Sequence, residues 1–138
     1  MSYILDTCVL SETIKPNPDT GCIKWLRQQK ADHLFISTFS LGELRRGIDR
    51  LAAGEKQHQL LIWFAKLCDS YTNRFLDFDK ESAQVWGSLC ATLEKDGHPM
   101  PTMDSLIAAS ALRFGLTLVT RNQKDYQHSP VPLLNPWS

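Results

Sequence analysis

Carboxylates and one amide stand where the apolar runs of this sequence stop. Asp6 follows Tyr3, Ile4 and Leu5; Glu43 lies just beyond Leu34–Ser37; Asp104 follows the HPMP stretch; Asn122 and Asp125 follow Leu116–Val119. Carboxylates are the side chains that general acid–base work and hard-cation binding require. Several of them gathered within a few ångströms repel one another and raise their own pKa values unless a cation neutralises them. Mg2+ or Mn2+, held by oxygen ligands and retaining several waters, meets that need. Such a centre activates water and clamps a scissile phosphate. Each residue also has a plain structural use. Asp6 suits a helix N-cap, and Ser40 with Glu43 matches the S-x-x-E capping box. Asp104, just after Thr102, complements a helix N-terminus, and Asp125 suits a solvated loop.

Chemistry follows only if the fold gathers these residues, so the elements that carry them matter. Val9–Lys15 has helical spacing and stops at Pro16 and Pro18; a second helix runs through Ile23, Trp25 and Leu26. Leu34–Ser37 predicts a strand, and Leu41, Leu44, Ile48 and Leu51 predict the helix after it, with Gly54 as its end. Gln59–Cys68 predicts another helix and Phe75–Phe78 a strand. Asp79 is placed to cap a helix with the stripe Ala83, Trp86, Leu89 and Leu93, closed by Gly97. A small-residue helix over Asp104–Phe114 stops at Gly115, followed by strands at Leu116–Val119 and Val131–Leu134. Strands alternating with helices predict an α/β fold, a central parallel β-sheet of four to five short strands flanked by helices on both faces. Ligands of such sheets bind beyond the carboxyl ends of the strands, where the acidic residues fall.

The 138 residues are 43% hydrophobic and 22% charged, which fits one domain over residues 1–138 with a substantial core. Cys8, Cys22, Cys68 and Cys90 form no CxxC pair, which argues against structural zinc and against a disulfide scaffold. The longest apolar run, Leu60–Ala65, is far below the ~20 residues of a membrane span. With no basic, apolar leader at the N-terminus, a cytoplasmic protein without membrane contact is expected. The formal net charge is +0, so nucleic-acid binding would need a local patch. His33, His58, His98 and His128 share no spacing and are expected on the surface. Trp86 is expected in the core, and Trp25 and Trp63 either there or beside an apolar groove.

The stretches LDTCVLSE (5–12), STFSLGELRRGI (37–48), MDSLIAASALRFGLTLVTRN (103–122) and NPW (135–137) resemble, in order, the PIN-domain family, specifically the VapC/FitB-like toxins of type II toxin–antitoxin pairs. The resemblance implies a PIN-like fold, a metal-dependent endoribonuclease acting on RNA, and a small cognate antitoxin. It also implies a homodimer that meets operator DNA only through the antitoxin complex. By match to the family motifs, Asp6, Glu43 and Asp104 would be the metal-site residues, with Mg2+ or Mn2+ as cofactor. Asp6 and Asp104 would ligate the ion and Glu43 would hold or deprotonate the attacking water. Asn122 and Asp125 would complete the outer shell, with Thr120 contributing a hydroxyl. Arg121, Lys124 and Arg45 or Arg46 would position phosphate. Two positions depart from the family pattern: Cys8 stands where Asn is common, and Asn122 where Asp is common. Asp125 is a second acidic position there.

Two other functions compete. A catalytically weak PIN-like module would bind nucleic acid and its antitoxin without efficient turnover. A phosphotransfer enzyme with Asp6 as nucleophile would want a second Asp where Cys8 stands. A groove lined by Leu10, Ile14, Leu44, Ile48 and Leu61 would suit an antitoxin helix laid on its apolar side.

Overall fold

Tyr3–Leu5 (β1), Leu34–Ser37 (β2), Phe75–Leu76 (β3), Thr117–Val119 (β4) and Leu133–Leu134 (β5) form one sheet in the order β3-β2-β1-β4-β5. Every neighbouring pair is parallel, with Ile4 opposite Leu118 and Leu5 opposite Val119 in the central pair. The computed structural model describes all residues, 1–138. Between the strands run the helices Thr7–Glu12 (α1), Thr20–Gln28 (α2), Thr38–Asp49 (α3), Glu55–Ser70 (α4), Lys80–Lys95 (α5) and Thr102–Phe114 (α6). Short 3-10 turns occupy Ala31–His33 and Gln123–Asp125.

The strands read as unbroken apolar runs because both sheet faces are buried. Successive side chains of a strand point to opposite faces, and the core divides accordingly. Ile4 and Leu118 join Leu89, Leu93, Ile107 and Ala108 under α5 and α6. Leu5 and Val119 join Val9, Leu10, Cys22 and Leu44 under α1, α2 and α3. The chain leaves β1 toward β2 and β3 on one side and returns through β4 to β5 on the other. The strand order therefore reverses between β1 and β4, the place where a crevice opens at the carboxyl edge of a doubly wound sheet.

Local signals explain most helix ends. The Asp79 carboxylate accepts from the Ser82 N–H at 2.8 Å and starts α5, while Arg113 binds the same group at 3.1 Å and ties α6 to it. Gly115 stops α6 in the left-handed region at φ +65°, as a glycine after a helix does without a Cβ penalty. Four expectations change. The cap of α3 is Ser37, whose Oγ accepts from the Phe39 N–H at 3.1 Å, so the expected Ser40–Glu43 capping box does not form. Ser40 is instead wholly buried, with its hydroxyl unpartnered. Gly54 stands directly before α4 rather than ending α3, and in α5 Ala83 is exposed while Ser82 takes the inward position. Finally, Leu10, Leu44 and Ile48 are 3%, 7% and 4% exposed, so three of the five residues expected to line a groove belong to the core, while Ile14 and Leu61 are half-buried.

Candidate active site

Asp6 is the first residue past β1 and the cap of α1. Its extended backbone (φ −69°, ψ 158°) turns the carboxylate back so that Oδ1 accepts the Thr7 N–H at 2.8 Å. Its other oxygen, Oδ2, accepts the hydroxyl of Thr120, the first residue past β4, at 2.9 Å. The two strands flanking the reversal point thus deliver a donor and an acceptor to one spot. Thr120 is completely buried, and its oxygen in turn accepts the Asn122 N–H at 3.0 Å. Since the Thr120 proton is committed to Asp6, the Cys8 thiol 3.7 Å away acts as the donor of that contact.

Two further carboxylates are tied to Asp6 through single residues. The Thr7 hydroxyl donates to Glu43 Oε1 at 2.8 Å, which fixes α3 against the start of α1. The Tyr126 hydroxyl lies 3.3 Å from Asp6 Oδ2 and 3.3 Å from Asp104 Oδ1, so it links β1 to the first turn of α6. Thr7, Thr120 and Tyr126 therefore hold Asp6, Glu43 and Asp104 in one connected network. Asp125 stands exposed on the 3-10 turn and makes no hydrogen bond with its side chain to the other acids. Its charge nevertheless bears on both Asp6 and Asp104.

The electrostatics are those of crowded acids. Burial pushes Asp6 above the usual carboxylate range, against the hydrogen bonds from Thr120, Thr7 and Tyr126 that favour its ionised form. Asp104 is pushed up to about 6, first by burial and then by the charges of Asp6, Asp125 and Glu43. Burial and the neighbouring Asp6 and Asp104 charges also drive the Tyr126 phenol upward, so it serves only as a neutral donor. No three acidic, histidine or cysteine side chains stand close enough to grip an ion among themselves. The donor set still suits a hard cation that keeps its waters: Mg2+ takes one or two carboxylates directly and fills the remaining positions with water. Asp6 and Asp104, linked by the one Tyr126 hydroxyl, would be such a pair.

The expected phosphate contacts diverge. Arg121, Asn122 and Lys124 are exposed at the rim, with Arg121 5.8 Å from the Trp137 ring centroid. Arg45 is engaged by Asp49 through both carboxylate oxygens at 3.1 Å, and Arg46 is exposed beside it on α3. Sequence patterning overlooks Tyr126 and the role of Thr7. Tyr126 is 0% exposed directly after Asp125 in a polar loop, and its sequence signal is no more than an aromatic residue beside an acidic one.

The model of the PIN domain matches residues 3–128, and the chain belongs to that family. It is 33% identical to the plasmid stability protein StbB of Pseudomonas syringae pv. tomato, over 97% of each chain. It is 28% identical to the VapC ribonuclease Y4jK of Sinorhizobium fredii, over 97% of this chain and 96% of that one. Toxin FitB of Neisseria gonorrhoeae is likewise 28% identical over 97% of both. The crystal structure of FitAcB from that organism superposes with a TM-score of 0.93 at 28% identity, covering 98% of each chain.

Proposed function

We propose that this PIN-domain protein is the toxin of a type II toxin–antitoxin pair and hydrolyses RNA phosphodiester bonds as a divalent-metal-dependent endoribonuclease. The observation that carries this is the network at the strand reversal, in which Asp6 is joined to Glu43 through Thr7 and to Asp104 through Tyr126. Relatives named as a VapC ribonuclease and a toxin support the same reading.

Asp6 and Asp104 would hold Mg2+ or Mn2+. When bound, the ion supplies compensating charge and a water of lowered pKa for attack on phosphorus. Thr120 and the Thr7 N–H hold both oxygens of Asp6, which fixes the direction of its remaining lone pairs. Glu43, oriented by the Thr7 hydroxyl, keeps one oxygen free to accept a proton from an attacking water. Asp125 and Asn122 at the rim complete the outer shell, and Arg121 and Lys124 supply cations for the phosphates of the strand.

The antitoxin would cover apolar surface outside the core. Helix α4 has no fully buried residue, although it carries Leu60, Leu61, Ile62, Trp63, Phe64 and Leu67; Ile62 is 45% exposed. Trp63, Phe64 and Leu67 pack in part against the core, and the apolar surface that this helix leaves in water around Ile62 suits an amphipathic partner segment. Contact with operator DNA would come through that partner, and a homodimer is the expected assembly. No helix is long and apolar enough to cross a membrane.

Incubating the purified, antitoxin-free chain with total RNA of its host tests the activity. Fragments that appear with Mg2+ or Mn2+, and vanish with EDTA and in Asp6→Asn, are expected. Cleavage that survives both treatments, or none under any condition, would overturn the proposal.

A further inference from the structure

His98 and His128 are thirty positions apart in the sequence, and each alone would pass for an ordinary surface residue. The fold lays them face to face, with ring centroids 3.7 Å apart and planes inclined by 8°. His98 comes from the loop that leads from α5 into α6, and His128 from the loop that leads from β4 into β5. Those loops frame the acidic network, since one runs into the helix of Asp104 and the other contains Asp125 and Tyr126. The two rings, with Lys124, Asp125, Met100 and Pro101, line a cavity of about 320 Å³. Both rings are exposed at this cavity, and neither takes part in a hydrogen bond or an ion pair. The stack joins the two loops and leaves the polar edges of both rings without a protein partner.

We infer that this cavity is a nucleotide subsite, in which a base of the single-stranded RNA beside the scissile phosphate stacks on the His98–His128 pair while Lys124 meets the adjoining phosphate. The inference rests on the ribonuclease reading above and adds the form of the substrate. Single-stranded RNA is recognised by stacking splayed bases on aromatic rings, histidine included, beside a cation that follows the backbone. A paired duplex keeps its bases stacked on one another and offers no free face to the imidazoles, so the subsite selects unpaired nucleotides. Asp125 belongs both to this cavity and to the charges that bear on Asp104, so a nucleotide seated here places its neighbouring phosphate beside the carboxylates.

Fluorescence anisotropy with a labelled oligoadenylate bearing phosphorothioate linkages, in the presence of Mg2+, tests this on the intact chain. His98→Ala and His128→Ala are each expected to weaken binding about tenfold, the scale of one lost base–aromatic stack. His128→Phe, which keeps a flat ring, is expected to restore it, and the same oligonucleotide annealed to its complement should bind no better than His128→Ala binds the single strand. Thermal unfolding of the exposed-site variants should match the wild type. Unaltered binding in both alanine variants, or failure of the phenylalanine variant to rescue, would overturn the subsite while leaving metal-dependent cleavage of RNA by the wild type intact. A wild type that cuts no RNA would remove the ribonuclease reading and the subsite with it.

Discussion

The phenolic oxygen of Tyr126 lies 3.3 Å from Asp6 Oδ2 and 3.3 Å from Asp104 Oδ1, so one buried hydroxyl with a single proton is shared by two carboxylates from opposite ends of the sequence. Both separations are long for an O–H···O bond, whose usual distance is about 2.7–2.8 Å. The contact holds the acids in place more than it neutralises them, and the remaining repulsion is what a cation would relieve. Tyr126→Phe keeps the ring in the core and removes the shared donor. RNA cleavage is expected to fall about tenfold or more, the usual scale for losing a group that orients a metal ligand, with circular dichroism unchanged. Wild-type cleavage by this variant would show that the hydroxyl does not position the pair.

Thr120 joins the end of β4 to Asp6 and has no free proton left. Thr120→Val preserves shape but strips a buried carboxylate of a donor and the Asn122 N–H of its acceptor. The unfolding free energy in urea is expected to drop by about 1–3 kcal/mol. Thr120→Ser should recover most of that loss, because it restores the hydroxyl at the cost of one methyl.

Asp104 has its pKa raised to about 6, from an ordinary value of 3.8, by burial and by Asp6, Asp125 and Glu43. The folded chain therefore favours the protonated acid. The stability this group contributes is complete below the unfolded value and is lost as the pH rises through about 6. A divalent ion reverses the preference, because it binds the ionised form and competes with the proton. Differential scanning fluorimetry should show a larger gain in Tm on adding Mn2+ at neutral pH than at about pH 5. An equal gain at both would contradict the placement of the ion at Asp104.

Much of the fold is legible in the sequence because its determinants are local. Gly115 and the Asp79 cap act within a turn of their own position, and unbroken apolar runs such as Ile4-Leu5 state that both sheet faces are covered, whereas α1 ends at Glu12, short of the expected stop at Pro16. The acids at the ends of β1 and β4 were likewise visible, since the parallel sheet dictates where its ligands lie. What escaped depends on contacts across the chain. Whether Ser37 or Ser40 caps α3 turns on where β2 ends, and the capping-box spacing of Ser40 and Glu43 concealed that Glu43 answers to Thr7. Leu44 and Ile48 have the stripe of a docking face, but their burial shows that α3 spends it on the core. Tyr126 and the His98–His128 stack depend on loops meeting in space, which no spacing rule records.

Gly21 shows a close approach of the same long-range kind. A Cβ there would lie 2.9 Å from Pro136 O and 2.9 Å from Ser138, whose backbone N–H and hydroxyl donate to the Asp19 carboxylate that caps α2. Gly21→Ala is expected to lift residues 135–138 from α2 and move Trp137 away from Arg121. Faster trypsin cleavage at Arg121 than in the wild type would report it, and an unchanged digestion pattern would show that the tail tolerates the methyl group.

The central claim is that Asp6 and Asp104 hold one divalent cation, with Glu43 reaching it through water. Calorimetric titration of Mn2+ into metal-stripped protein tests it most directly, with Asp6→Asn, Glu43→Gln and Asp104→Asn compared with the wild type. Saturable binding by the wild type is predicted, abolished by the two aspartate substitutions and weakened by the glutamate one, with all three variants folded. Absence of saturable binding in the wild type, or undiminished binding in Asp6→Asn and Asp104→Asn, would contradict the account.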